Sequence, residues 1–351
     1  MRGVFTYANP PVIRWGPGSL GELPAELARL GGTRVAVVTT RSLAADAASI
    51  LALPEAPAAT VVIGQHAPIA EVERGAAEIS AAGADALVSL GGGSPIDAAK
   101  VIGRLVADRS QAPERSIPHV AVPTTLSVAE LASGAGVTDA SGDKVGRRDP
   151  RMLPDAVIYD GELAVRTPMR LWLSTGIRAL DHAIEGYLAE GDHPLSDACA
   201  LEAVRRLFAT LPRAAADPSD AAARTENQVA AWLSYTLPGP TAGGLSHTMG
   251  KQIGARHGIP HGVTSCLLLP HVMRYQAARH ATRLADLSRA TGSGRGALAA
   301  ADDVQDLIAR LGLPQRVSAF GLGEPELRAA AESLSLPVSA ADLLEVYLAA
   351  L

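Results

Sequence analysis

Apolar runs and amphipathic stretches alternate through the first part of the chain. Buried strands are predicted at residues 34–39, 60–63, 86–90 and 119–122, where apolar and β-branched residues follow one another with few breaks. Between them lie amphipathic stretches such as 69–82, which has Glu71, Glu73 and Arg74 on its polar face. Two shorter strands are predicted at 12–15 and 156–159. Continuous apolar strands separated by helices indicate an α/β domain with a parallel, Rossmann-like sheet that helices cover on both faces.

The hydrophobic pattern changes after Asp160. Apolar residues then recur at helical spacing almost to the end of the chain, as in residues 195–211, with breaks at Pro238-Gly239-Pro240 and Pro260. We therefore predict two domains, an α/β domain over residues 1–160 and an all-helical domain over residues 161–351.

Length and charge exclude several classes of protein. The 351 residues include 31 basic and 36 acidic side chains, a net charge of −5, and no long Lys/Arg run, which argues against nucleic acid or an anionic membrane as the main partner. The two cysteines, Cys199 and Cys266, are too few for a disulfide framework. Neither a signal peptide nor an apolar run long enough to span a membrane is present, so we expect a cytoplasmic protein.

A glycine-rich loop directly follows the third predicted strand of the α/β repeat and opens a helix. It reads Gly91-Gly92-Gly93-Ser94-Pro95-Ile96-Asp97. Glycines let a ligand approach the backbone, and a helix N-terminus offers unpaired N–H groups and a positive dipole end, so the loop suits a diphosphate. It matches neither the G-x-G-x-x-G motif nor the P-loop, and a simple tight turn is the alternative interpretation.

A second polar segment follows the next strand. Thr124, Thr125 and Ser127 place hydroxyl groups at the carboxyl end of the strand at 119–122. They suit contacts to a nucleotide, although a helix N-cap is the alternative interpretation of the same residues.

Together these two motifs resemble the iron-containing alcohol dehydrogenase family, which has a dehydroquinate synthase-like fold. The resemblance extends in order along the chain through Leu180-Asp181-His182-Ala183-Ile184-Glu185-Gly186-Tyr187, Pro260-His261-Gly262-Val263 and Leu269-Pro270-His271-Val272-Met273. Residues 146–154 look most like the maleylacetate reductase branch, whereas Pro95 and Asp97 are closer to the alcohol dehydrogenase branch. The maleylacetate reductase branch reduces an activated carbon–carbon double bond with NAD(P)H and is thought to need no metal.

The resemblance also implies where a metal would bind. Metal-dependent members hold Fe²⁺ or Zn²⁺ with one aspartate and three histidines, and His182, His247 and His261 match the histidines. Arg178 stands where the aspartate is expected, and Lys251 replaces a further histidine near the nicotinamide. Because a guanidinium does not ligate metals and repels cations, we predict a site without metal. A three-histidine Fe²⁺ or Zn²⁺ site is the alternative.

This residue set predicts a reductase of acidic small molecules. We expect Arg178 and Lys251 to hold a substrate carboxylate or a developing oxyanion, and one of His182, His247 and His261 to supply the proton. The predicted acceptor is an activated C=C, C=O or C=N bond.

The resemblance implies NADH or NADPH as the cofactor and places its adenosine ribose near the end of the first strand of the repeat, where Thr40 and Arg41 stand and no carboxylate would exclude a 2′-phosphate. The predicted cofactor residues are Thr40, Arg41, Gly91, Gly92, Gly93, Ser94, Asp97, Thr124, Thr125, Ser127 and Lys144. The family resemblance implies a homodimer. Two alternative functions remain. One is a Fe/Zn-dependent alcohol dehydrogenase. The other is a non-redox descendant that keeps the nucleotide site, which would be a lyase, a cyclase or a binding protein.

Overall fold

A computed structural model describes residues 9–109, 114, 116–142, 144–191, 193–236 and 244–351. These residues form two compact units, one ending at Thr167 and the other comprising Pro168–Leu351. The assignment of a cofactor domain to residues 1–160 and a substrate domain to residues 161–351 stays a prediction.

The first unit is built on a parallel sheet. Its strands are Val12–Trp15 (β1), Val35–Thr39 (β2), Ala59–Val62 (β3), Ala86–Gly91 (β4), His119–Pro123 (β5), Gly134–Thr138 (β6), Lys144–Arg148 (β7) and Ala156–Tyr159 (β8). Six of them pair in the order β1-β8-β5-β4-β2-β3, all parallel, and β6 and β7 form a separate antiparallel hairpin. The predicted parallel sheet is confirmed, and each predicted strand lies within one residue of an observed one.

Helices pack against this sheet because its strands are apolar on both faces. All six residues of β4 are buried, and separate apolar clusters form on the two sides of the sheet, one including Leu87 and the other Val88. The helices of this unit are Leu23–Leu30 (α1), Arg41–Ala44 (α2), Ala47–Ile50 (α3), Ile69–Ala81 (α4), Gly93–Asp108 (α5) and Gly161–Ala164 (α6). The amphipathic stretch at 69–82 thus forms α4 as predicted.

The β6–β7 hairpin was not predicted, because its strands lack an apolar run. β6 reads Gly-Ala-Gly-Val-Thr and β7 reads Lys-Val-Gly-Arg-Arg. The hairpin is attached to α5 by Asp97, whose carboxylate accepts a hydrogen bond from the Gly136 N–H at 3.0 Å. Asp97 thus attaches the hairpin by a polar contact, and Ala135 and Val137 of β6 are buried in the apolar cluster on one side of the sheet.

Lys100 organises the segment that leads into this hairpin. Its fully buried ammonium group donates to the carbonyls of Ala129 at 2.8 Å and Ala132 at 3.1 Å and to that of Gly134. It also forms an ion pair with Asp97 at 3.0 Å. A buried charge needs such partners, so this cation fixes the backbone that follows β5.

The second unit is helical, as the sequence predicts. Its helices are Met169–Leu188 (α7), Pro194–Ala216 (α8), Ala221–Ser234 (α9), Leu245–His257 (α10), His261–Tyr275 (α11), Ala281–Ala290 (α12), Ala297–Arg310 (α13), Glu324–Glu332 (α14) and Ala340–Ala349 (α15). An apolar cluster joins α10 and α11 to α14 and α15. In the part of the chain that the structure describes, no helix is long and apolar enough to cross a membrane.

His119 gives the first unit a measurable pH dependence. Its imidazole Nε2 lies 2.8 Å from the Ser89 hydroxyl oxygen inside the sheet. Burial, with a smaller contribution from the Lys100 charge, lowers the pKa of His119 from 6.5 to about 3. Between these two values the unfolded chain binds a proton that the folded chain does not, so stability falls as the pH falls.

We therefore predict that His119→Gln reduces acid sensitivity. A pKa difference is worth about 1.4 kcal/mol per unit, so acidification from about pH 6.5 to about pH 4 should shift the difference in unfolding free energy by about 3 kcal/mol in favour of the variant. Urea unfolding at several pH values measures this difference. The exposed His257 provides the control, since His257→Gln should follow the wild-type pH dependence. Parallel curves for wild type and His119→Gln would contradict the prediction.

Candidate active site

The glycine-rich loop lies between a strand and a helix. β4 ends at Gly91, Gly92 is the N-cap residue, and α5 begins at Gly93. Gly91 has a φ of 143°, and a Cβ atom there would lie 2.7 Å from Pro95 Cγ, so both backbone conformation and space require glycine. The first turn of α5 has N–H groups that its own helix cannot pair, as in known anion sites.

Two buried hydroxyl groups lie beside this loop. A Cβ atom on Gly92 would lie 3.1 Å from Thr125 Cγ2, and one on Gly93 would lie 3.3 Å from Ser127 Oγ. Thr125 Oγ1 and Ser127 Oγ are buried without a hydrogen-bond partner in the described structure. Unpaired buried hydroxyls beside a helix N-terminus suit the phosphate oxygens of a dinucleotide.

The sheet topology places Thr40 at the same edge. From β2 the chain passes outward to β3 and returns to β4 on the other side of β2, so β2 and β4 flank a topological switch point. Ligands of open α/β sheets bind at the carboxyl ends of strands at such a point. Thr40 is the N-cap of α2 directly after β2, and a Cβ on Gly91 would lie 3.6 Å from its Cγ2. Arg41 is exposed in the next position.

Three other predicted cofactor residues make contacts within the protein. Ser94 Oγ accepts a hydrogen bond from the His66 N–H at 3.0 Å. Asp97 binds Lys100 and the hairpin, as described above. The Thr124 N–H donates to the Gly91 carbonyl at 2.9 Å and so links the two loops.

Lys144 begins β7, but its side chain lies outside the described structure. The cofactor roles of this residue and of Ser94, Asp97 and Thr124 stay predictions.

In the helical unit, three imidazoles lie together. His182 is on α7, His247 is on α10, and His261 is the first residue of α11. The ring centroids of His182 and His247 are 5.7 Å apart, and those of His247 and His261 are 5.2 Å apart. The tertiary structure thus brings together the three histidines that the sequence singled out.

Arg178 lies between two of these rings. Its Nη2 is 3.4 Å from His247 Nε2 and 3.5 Å from His261 Nε2. The side chain is only 4% exposed, and its Nη1 donates to Asp181 Oδ2 and to Ser265 Oγ, each at 3.0 Å. Asp181 and Ser265 therefore occupy one end of the guanidinium, and the expected role of Arg178 in holding a substrate carboxylate or oxyanion stays a prediction.

The burial of these groups determines their charges. Burial, with a further contribution from the Arg178 charge, lowers the pKa of His182 well below its usual value. Burial and then the Asp181 charge raise the pKa of Glu185 well above its usual value. The first shift leaves His182 as a neutral imidazole at neutral pH, and the second favours the protonated form of Glu185.

Sequence reasoning missed much of this network. None of Asp181, Glu185, Ser246 and Ser265 was predicted as a site residue. The available signal was the spacing, since Arg178, Asp181 and Glu185 recur at intervals of three and four residues in an otherwise apolar helix.

Lys251 occupies a different environment from Arg178. It is exposed on α10, one turn after His247 and on the same helix face. It forms no hydrogen bond or ion pair with the residues that the structure describes. The role of Lys251 in holding a substrate carboxylate or oxyanion stays a prediction.

A metal ion does not fit between these imidazoles. Any cation placed between His247 Nε2 and His261 Nε2 would lie against the guanidinium, which repels it and occupies its space. Within the described ranges, no group of three or more histidine, cysteine, aspartate or glutamate side chains is arranged to hold a metal.

Comparison with known proteins covers nearly the whole chain. The family model for iron-containing alcohol dehydrogenase matches residues 10–161, and that for the C-terminal part of the Fe-containing alcohol dehydrogenase family matches residues 172–337. The chain is 32% identical over 334 residues to maleylacetate reductase from Burkholderia cepacia, which covers 95% of this chain and 91% of that protein.

Comparison with solved structures indicates the same family. The crystal structure of maleylacetate reductase from Rhizobium sp. strain MTP-10005 has a TM-score of 0.86 and 31% identity, with 99% of this chain and 98% of that chain covered. Sulfoacetaldehyde reductase from Bifidobacterium kashiwanohense, solved in complex with NAD⁺, has a TM-score of 0.87 and 26% identity, with 99% of each chain covered. These likenesses confirm the predicted dehydroquinate synthase-like fold. The chain belongs to the iron-containing alcohol dehydrogenase family and is an NAD(P)-dependent oxidoreductase.

Proposed function

We propose that this oxidoreductase is a metal-independent, NAD(P)H-dependent reductase of the maleylacetate reductase type. Its substrate is a small carboxylate-bearing molecule with an activated double bond, a conjugated C=C bond in the first place. The observation that carries the proposal is the buried Arg178 guanidinium between His247 and His261. The sequence identity of 32–33% to two maleylacetate reductases, over most of the chain, supports the proposal.

The absence of a Lewis acid restricts the substrate. A simple alcohol usually needs a metal to acidify its hydroxyl group, whereas a double bond conjugated to a carbonyl group is already electrophilic. Addition of hydride to such a bond leaves an enolate, and the enolate then takes up a proton at carbon. Fixed positive charge at the site stabilises that anion.

The residues divide this work. Arg178 keeps its charge when buried and supplies a fixed positive potential beside the imidazoles. Lys251, exposed one turn from His247, holds the substrate carboxylate. His247 or His261 delivers the proton, because imidazole is suited to proton transfer near neutral pH, whereas the lowered pKa of His182 leaves that ring without a proton to give.

The loop residues of the first unit fit the cofactor. The Gly92–Gly93 backbone and the unpaired hydroxyls of Thr125 and Ser127 hold the diphosphate, and Thr40 and Arg41 lie at the ribose end. The reduced nicotinamide supplies the hydride when it is bound. Since no carboxylate follows β2, both NADH and NADPH are accepted.

The family resemblance extends the proposal to a homodimer, which sedimentation analysis tests.

We predict that Gly92→Val weakens cofactor binding. The added side chain meets Thr125 at the base of the loop and fills the space that the diphosphate needs. Loss of the close backbone approach should raise the dissociation constant of NADH at least about 10-fold, which corresponds to about 1.4 kcal/mol. Fluorescence titration of NADH measures the change. Gly21→Val is the control, because a Cβ at Gly21 meets nothing within 4 Å. Equal affinities for Gly92→Val and wild type would place the diphosphate elsewhere.

The metal-independence of the reaction has its own test. We predict that purified wild type holds substoichiometric Fe²⁺ and Zn²⁺ and that chelators leave NADH oxidation with an unsaturated oxo-acid unchanged. Arg178→Asp removes the competing cation and should bind metal in proportion to chain, as elemental analysis would show. Arg170→Asp makes the same charge change at an exposed position of α7 and should bind none. One metal per wild-type chain would instead support the metal-dependent alcohol dehydrogenase.

Lys251 tests the carboxylate assignment. Lys251→Met should raise the KM for the unsaturated acid about 10-fold or more and leave the dissociation constant of NADH unchanged, because a charge-assisted hydrogen bond to the substrate is lost. Arg256→Met, which removes another exposed charge from α10, should leave both constants near wild type. If Lys251→Met leaves the KM unchanged, Lys251 does not hold the carboxylate.

NADH binding without oxidation across a panel of oxo- and enoic acids would favour the non-redox alternative.

A further inference from the structure

Two buried carboxyl groups lie directly behind the imidazoles. Asp181 is 1% exposed and Glu185 is 8% exposed, and they are four residues apart on α7, so they share one helix face with each other and with Arg178. The proposed reaction gives neither of them a role. Burial of two carboxyl groups is costly unless every oxygen has a partner, so their partners show what they hold.

Glu185 binds the start of α10. Its two carboxyl oxygens accept hydrogen bonds from the backbone N–H of Ser246 at 2.6 Å and of His247 at 3.1 Å. Any side chain at Gly244, the N-cap residue of this helix, would overlap the Glu185 carboxyl group. The Glu185 carboxyl group therefore caps the first turn of α10 and fixes the backbone of His247.

Asp181 joins three helices. Its Oδ2 accepts from Arg178 Nη1 on α7 at 3.0 Å, from Ser246 Oγ on α10 at 3.1 Å and from Ser265 Oγ on α11 at 2.6 Å. These are the helices that carry His182, His247 and His261. One carboxylate oxygen thus fixes the guanidinium and the spacing of the three imidazoles together.

The charges of the cluster balance. Asp181 as a carboxylate neutralises Arg178, and burial together with the Asp181 charge raises the pKa of Glu185, which favours its protonated form. Asp181 Oδ1 is buried without a hydrogen-bond partner among the described residues, so its other oxygen, Oδ2, makes all the contacts that join the helices. The buried set has one positive and one negative charge, which is the arrangement that desolvation favours.

We propose that Asp181 and Glu185 are positioning residues, which together hold the Arg178 guanidinium against His247 and His261 and hold α10 against α7. They act through Arg178 and the imidazoles and touch neither substrate nor cofactor. The proposal rests on the proposed function for its kinetic consequence, and its structural consequence is measured without turnover.

Asp181→Asn and Glu185→Leu are the variants that test the proposal. Misplacement of catalytic groups by about 1 Å costs about 100-fold in rate, so both variants should lower kcat by about that factor while the dissociation constant of NADH stays unchanged. Glu185→Gln keeps one acceptor oxygen and one N–H donor and should recover most of the activity that Glu185→Leu loses. Asp303→Asn is the matched control, since Asp303 is a similarly buried carboxylate of the same unit that binds Arg295 and lies outside the cluster. It should lower the melting temperature and keep kcat.

Imidazole nitrogen chemical shifts provide the readout that does not need turnover. In ¹⁵N-labelled protein, Asp181→Asn and Glu185→Leu should shift the Nε2 signals of His247 and His261, and Asp303→Asn should leave them in place. Failure of the proposed function would appear as a wild type that oxidises no NADH with any unsaturated acid, while the shift changes would still support the positioning role. Unchanged Nε2 signals in folded Asp181→Asn and Glu185→Leu, or equal kcat for Glu185→Gln and Glu185→Leu, would overturn it.

Discussion

The buried guanidinium of Arg178 is the constraint on which the histidine cluster of the helical unit depends. A cation that is 4% exposed is stable only with a charged partner and with acceptors for its N–H groups, and Asp181, Ser265 and two imidazoles supply them. Removal of Asp181 alone would leave an uncompensated charge, which costs about 3–5 kcal/mol in a buried site. The cation in turn favours neutral histidines around it, and the lowered pKa of His182 is one expression of this.

The first unit is organised by the same principle with a different cation. Lys100 is buried beneath the segment that follows Ser127, and backbone carbonyls with the Asp97 carboxylate satisfy its ammonium group. In each unit a buried cation draws polar partners from separate segments of the chain around one charged group. The Thr125 and Ser127 hydroxyls, which we propose for cofactor binding, have no hydrogen-bond partner among the described residues.

The sequence predicts those parts of the molecule that local pattern determines. The strands of the parallel sheet and α4 were found because burial on both faces requires apolar runs, and burial on one face requires helical periodicity. The β6–β7 hairpin was missed, because its apolar residues stand singly between glycines and charged or polar residues and form no run. The three histidines were found from ordered motifs, but the roles of Asp181 and Glu185 depend on how α7 packs against α10 and α11. The spacing placed Arg178 on the correct helix face without showing that Asp181 and Ser265 would occupy one end of it.

The chemistry of arginine and lysine explains which cation lies inside. A guanidinium has five N–H donors in one plane and keeps its charge at any pH of interest, so Arg178 binds Asp181 and Ser265 at one nitrogen and faces two rings with the other. A lysine in that position would offer three donors on one atom, as Lys100 does to its cluster of carbonyls, and would not reach Asp181 and Ser265 on one side and two rings on the other. Lys251 is exposed on α10 and is the residue that we propose to hold the substrate carboxylate. In the proposed function, the fixed field and the substrate contact therefore belong to different residues.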